Sequence, residues 1–86
     1  MKILKFFGLW CGPCKALTKA FEEAKIEHQN INVDGNEELA DKYHVKSVPT
    51  VIVLDNEGEE LGRFVGLITK KQLLEELNKY KTLDNE

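Results

Sequence analysis

The sequence holds no basic run, no internal repeat and no apolar stretch of about 18 residues. Each absence excludes something. Without a basic run there is no electrostatic footprint for nucleic acid, and a formal charge of −3 with a pI near 5.4 agrees. Without a long apolar stretch nothing reads as a membrane-spanning helix, so neither nucleic acid nor membrane is expected as a partner. The start, Met1-Lys2-Ile3-Leu4-Lys5-Phe6-Phe7-Gly8, begins charged and turns apolar like a secretion signal. Lys5 breaks the run, however, and no small-residue cleavage site follows it. A cytoplasmic location is therefore expected. Cysteine is scarce, two in 86 residues. In a reducing cytosol such a pair points to chemistry or metal rather than to a permanent staple.

What is present is the material of one folded domain. Apolar residues make up 42% and charged residues 31%, a globular balance rather than a disordered one. At this length the core is thin and the loops must be short. Residues 1–80 read as a single domain, and residues 81–86, which carry no pattern, as a frayed polar tail.

Residues 2–7 are apolar with little alternation, as in a strand covered on both faces. Pro13 suits a first helical turn, and Leu17, Ala20, Phe21 and Ala24 recur at helical spacing, predicting a helix over 12–25. Residues 29–33 alternate and predict a second strand. Asp34-Gly35-Asn36 then breaks the chain, and residues 37–43 form a short helix with acids in its first turn. Residues 50–55 are β-branched and almost wholly apolar, and the turn Asn56-Glu57-Gly58 joins them in a hairpin to residues 61–66. Thr69 and Gln72 match a capping box that opens a last helix with a buried stripe of Leu73, Leu74, Leu77 and Tyr80. The order βαβαββα predicts an α/β fold, a four-stranded mixed sheet with helices on both faces. Cys11 and Cys14 then fall where the first strand gives way to the first helix, at the sheet edge where chemistry gathers in such folds.

The segment Trp10-Cys11-Gly12-Pro13-Cys14 suits thiol–disulfide exchange. That chemistry needs an exposed thiolate, a second thiol within reach and a backbone that holds them together. Cys11 at a helix amino end meets unpaired N–H groups and a dipole that favour negative charge. Cys14, one turn further in and more covered, suits attack on the mixed disulfide that Cys11 forms. Pro13 stiffens the turn and Gly12 leaves the nucleophile uncrowded. A zinc site competes poorly: His28 follows Cys14 at a tolerable distance, but His44 is far outside the three-to-five-residue gap a finger requires, and both histidines read as surface residues. A c-type haem site needs His after Cys14, where Lys15 stands. An inert structural disulfide remains as the bland alternative.

These residues resemble a known family. Trp10-Cys11-Gly12-Pro13-Cys14-Lys15 is similar to the active-site motif of the thioredoxins. Ser47-Val48-Pro49-Thr50 lies where that family carries its cis-proline loop, Val65-Gly66 matches its glycine beside the site, and Lys42-Tyr43-His44-Val45 is similar to the segment leading into the loop. The resemblance covers residues 2 to 80. It implies a thioredoxin fold in a short, glutaredoxin-sized form, since the family's extra strand and helix before the first strand have no counterpart in this sequence. It further implies Cys11 as nucleophile, Cys14 as resolving thiol, and Trp10, Gly12, Pro13, Val48, Pro49 and Gly66 as the substrate groove. For Trp10, a plain core role is the alternative. A cis Val48–Pro49 bond, β-augmentation by the client chain, no cofactor beyond the redox disulfide Cys11–Cys14, and a monomer recycled by thioredoxin reductase are implied in the same way.

Two departures stand out. The family's buried aspartate on the first strand is matched here by Lys5, and its lysine partner by Asn30. Lys5 either snorkels to solvent or lies under the dithiol as a modulator of its pKa. The first helix also carries Lys19 where the family has an internal proline. The function expected is an enzyme-like carrier that reduces disulfides in client proteins. A glutathione-linked glutaredoxin is the alternative, opposed by Cys-Gly-Pro-Cys and by Leu67-Ile68-Thr69 in place of a Gly-Gly pair. A thiol-independent subunit of a larger assembly is the other.

Overall fold

A computed structural model describes residues 1–66 and 68–84. They form β1 (Lys2–Phe7), α1 (Gly12–Ala24), β2 (Gln29–Asn32), α2 (Glu37–Lys42), β3 (Thr50–Leu54), β4 (Glu60–Val65) and α3 (Lys70–Asp84). The strands make one mixed sheet in the order β2-β1-β3-β4. β1 runs parallel to β2, with Leu4 opposite Gln29, and antiparallel to β3, with Leu4 opposite Ile52. β4 closes the hairpin on β3, with an irregularity at Val53/Leu54.

The unbroken apolar run of β1 and β3 is explained by cover on both faces. Ile3, Val51 and Val53 pack with Leu17 and Phe21 of α1 and with Leu73, Leu77 and Tyr80 of α3. On the other face Leu4, Phe6, Ile31, Ile52 and Leu54 pack with Ala40 of α2, and Tyr43 and Val45 lean against them. Every residue of β3 is buried. Lys25, in the left-handed region at φ 56°, ends α1, and its N–H reaches back to the Glu22 carbonyl. The capping box of α3 closes in both directions: Thr69 N–H donates to Gln72 Oε1 at 3.0 Å and Gln72 N–H to Thr69 Oγ1 at 3.1 Å.

The structure corrects three expectations. Leu74 is 44% exposed and lies outside the buried stripe. Leu73, Leu77 and Tyr80 already fill the face against the sheet, and Leu74, next to Leu73 on the helix, turns away from them. The last helix is longer than its buried stripe implied and continues past Tyr80 through Asp84, for residues 81–84 include neither Gly nor Pro to stop it. The end of the expected tail, residues 85–86, lies outside the described residues, as does Leu67. His44 is exposed, but His28 is partly buried rather than a free surface residue. Its ring packs on Phe21 with centroids 4.2 Å apart, and Nδ1–H donates to the Ile26 carbonyl at 2.9 Å. The chain turns between α1 and β2 in too few residues to carry that ring clear of the core.

Gly62 sits where β4 passes beneath α3, and a Cβ there would overlap the Tyr80 ring. Gly62→Ala is expected to destabilise the fold by about 1–3 kcal/mol, measured by denaturant unfolding. An unchanged midpoint would show that Tyr80 swings aside freely.

Candidate active site

Residues 8–11 carry the chain from β1 into α1, and Cys11 N–H donates to the Gly8 carbonyl at 3.1 Å. Gly8 has to be small here, because a Cβ would come within 2.9 Å of the Trp10 indole. Cys11 caps α1 in an extended conformation, and its Sγ accepts the N–H of Cys14 at 3.1 Å. Sulfur thus takes the place of the oxygen that ordinarily satisfies a first-turn donor. Pro13 occupies the first turn, where its missing N–H has no partner to lose.

Cys11 and Cys14 are joined in a disulfide with Cα atoms 5.3 Å apart. Cys11 is 4% exposed and Cys14 2%. The open nucleophile and covered partner expected from the sequence are therefore not distinguished in the oxidised form. Bonded to Cys14, the Cys11 sulfur is turned in toward the helix end.

The covered disulfide contrasts with exposed apolar side chains, two of them just before it in the chain. Trp10 is 71% exposed, and Leu9 and Val65 are exposed too. A core role for Trp10 is thereby ruled out. Its Nε1–H donates to Asp34 Oδ2 at 3.2 Å, which holds the indole across the turn after β2. Sequence reading took Asp34 only as a chain break and missed this contact. Beside the indole a cleft of about 140 Å³ runs past Val33, Ala40, Val45 and Val48.

The Val48–Pro49 peptide is cis. Pairing of Phe6 with Thr50 brings this loop level with the end of β1. Thr50 Oγ1–H donates to the Ser47 carbonyl at 2.7 Å, and Gly66 N–H donates to the Pro49 carbonyl at 2.9 Å. Gly66 holds φ at 93°, which favours glycine, and a Cβ built on it would meet nothing within 4 Å. The loop is thus fastened to both β3 and the end of β4, with open space above Gly66.

Beneath the turn lies Lys5, 0% exposed, so it does not snorkel. Its Nζ donates to Thr18 Oγ1 at 2.6 Å and lies 5.1 Å from the centre of the Phe21 ring. Burial pushes the amine's pKa down, and the charge of Glu22 opposes that only in part. Thr18, which sequence reading passed over, stands one turn after Cys14 and lines with it a cleft of about 450 Å³. Among the described residues, no group of three or more His, Cys, Asp or Glu side chains is placed to hold a metal ion, and no helix is long and apolar enough to cross a membrane.

A two-residue spacing between sulfurs, closed into a disulfide at the first turn of a helix that leaves a central strand, defines a thiol–disulfide oxidoreductase. Comparison with known proteins makes the class specific. The family model described as Thioredoxin matches residues 1–79, and the chain belongs to the thioredoxin family. It is 40% identical over 83 residues to the thioredoxin of Chlamydia pneumoniae, covering 91% of this chain and 80% of that one. Among solved structures, a mutant thioredoxin from Halobacterium salinarum superposes with a TM-score of 0.81 at 32% identity, over 91% of this chain and 72% of that one. Thioredoxin 1 of Thermosipho africanus matches over 100% of both chains, with a TM-score of 0.77 at 29% identity.

The depressed pKa of Lys5 gives a stability prediction with a definite sign. The unfolded chain binds the lysine proton up to about pH 10.4, whereas the folded chain releases it earlier. Between those two points the unfolded state holds more protons, so stability rises with pH there and is lost as pH falls through the folded value. Lys5→Met is expected to remove that alkaline rise and to raise stability at neutral pH, read from denaturant midpoints across the pH range. A variant that keeps the rise would assign it to another group.

Proposed function

We propose that this protein reduces disulfides in client proteins, with Cys11 as nucleophile and Cys14 as resolving thiol. The observation that carries the reading is the placement of Cys11 Sγ at the amino end of α1, accepting the Cys14 N–H at 3.1 Å. In the reduced protein the same donor and the helix dipole favour a thiolate there. That thiolate attacks a client disulfide and forms a mixed disulfide, expelling one client sulfur. Cys14 then attacks Cys11, the bond to the client breaks, and its second sulfur leaves with the electron pair. Two electrons have passed to the client, and the Cys11–Cys14 disulfide remains to be reduced again.

Trp10, Gly12, Pro13, Val48, Pro49 and Gly66 form the groove in this reading. Exposed apolar surface at Trp10 and its neighbours supports it, because such surface on a small protein marks a place of contact. The client chain lies along the loop at Val48 as an added strand, bonded through its backbone, so that many sequences are accepted. Lys5, buried below, modulates the pKa of the dithiol. The protein works in the cytoplasm as a monomer, where a reducing pool keeps the dithiol available. Thioredoxin reductase returns the electrons, and no cofactor takes part beyond the redox disulfide itself.

Four outcomes are expected. Cys14→Ser accumulates a mixed disulfide with an oxidised client, seen as an adduct lost on adding reductant. Cys11→Ser forms no such adduct, and the double variant loses reductase activity altogether. The reduction potential falls in the thioredoxin range, about −270 mV, with turnover supported by thioredoxin reductase. A value of about −200 to −230 mV with turnover by glutathione alone would place the protein with the glutaredoxins instead. Activity retained by the double variant would point to a thiol-independent subunit.

A further inference from the structure

We propose that Lys5 and Thr18 together take up the proton of the Cys14 thiol, the Thr18 hydroxyl passing it one helical turn down to the buried amine. The inference rests on Cys14 being the resolving thiol. A thiol must become a thiolate before it can attack. Cys14 is almost without contact with solvent, and the strand beneath it offers a lysine rather than a carboxylate.

Thr18 stands between the two groups that the transfer joins. Cys14 and Thr18 lie one turn apart on α1 and share the walls of the same cleft, which is large enough to admit water. Thr18 Oγ1 is 2.6 Å from Lys5 Nζ. A hydroxyl both donates and accepts, so it can receive a proton from the cleft side as it gives one to the amine. Lys5 is wholly removed from water, and the partners its amine meets are a neutral hydroxyl and the face of Phe21. Such surroundings favour a neutral amine, which is a base. Once the amine is charged it faces a thiolate a turn away, and each charge stabilises the other.

The groups around the amine are few. On α1, Glu22 favours the charged amine, while Lys15 and Lys19 on the cleft wall favour the thiolate. His28 packs behind Phe21. The neighbours of Lys5 on β2 and β3 are Asn30 and Val51, which do not titrate.

The Cys14 S–H bond breaks and its proton goes by way of Thr18 to Lys5 Nζ. The Cys14 sulfur's electron pair forms the Cys11–Cys14 bond, the bond between Cys11 and the client breaks, and the client sulfur leaves with the pair of the broken bond. Lys5 then returns the proton through the cleft to the departing sulfur or to water.

The test compares Thr18→Val, which keeps shape and loses the hydroxyl, with Thr18→Ser, which keeps the hydroxyl, and with Lys5→Met. Rapid-mixing kinetics with a chromogenic aromatic disulfide follow release of its second thiol, the Cys14 step, as a function of pH. Thr18→Val and Lys5→Met are expected to slow that step about a hundredfold near neutral pH and to shift its profile toward an ordinary thiol. Thr18→Ser retains the wild-type profile. Attack by Cys11, followed in a Cys14→Ser background, stays as in the parent, a separation that general damage to the helix would not produce. An unchanged profile in Thr18→Val, or equal slowing of both steps, overturns the relay. The Thr18 pair decides the matter independently of Lys5→Met. A wild-type protein that reduces no disulfide overturns the functional reading and the relay with it. A competent wild type whose variants keep its profile overturns the relay alone.

Discussion

Everything at the site depends on the confinement of β1. It is hydrogen-bonded along both edges, to β2 and to β3, and covered by side chains on both faces. A strand held on four sides can leave the sheet only at its ends, and at the C-terminal end β1 leads directly into the turn before α1. The disulfide therefore inherits its position from the most constrained element in the fold. β3 is equally buried and delivers the cis-proline loop to the same end of the sheet. Two rigid strands thus fix the two halves of the site, and short turns make the final approach, which is how functional groups are held to narrow geometric limits.

Charge is distributed there in an uneven way. Around Cys11 the favourable groups are dipoles: a backbone N–H and the end of a helix. Below Cys14, one helical turn on, Thr18 carries a hydroxyl tied to a buried amine on the strand beneath. Polarity that is fixed serves the sulfur that meets the client. Polarity that can gain or lose a proton sits behind the other.

The sequence was informative wherever structure follows from local period. Strand and helix order, the capping box at Thr69 and the place of the dithiol all rest on spacing within a dozen residues, and all are seen in the structure. The fate of Lys5 is different. A lysine within an apolar strand is compatible with snorkelling or burial, and the outcome was decided by Thr18, on another element thirteen residues away. The tie between Trp10 and Asp34 was equally hidden, because it joins turns at the ends of two strands. His28 and Leu74 were misread for one reason: exposure depends on which neighbours have already filled a face. That information exists only in the packed molecule.

The hydrogen bond from Trp10 to Asp34 has an optical consequence. This is the sole tryptophan of the chain, it is held in one orientation, and it adjoins the sulfur that is oxidised and reduced. Making or breaking the adjacent disulfide changes the surroundings of that one indole, so the emission of the protein's own tryptophan is expected to follow the state of the sulfurs without an added label.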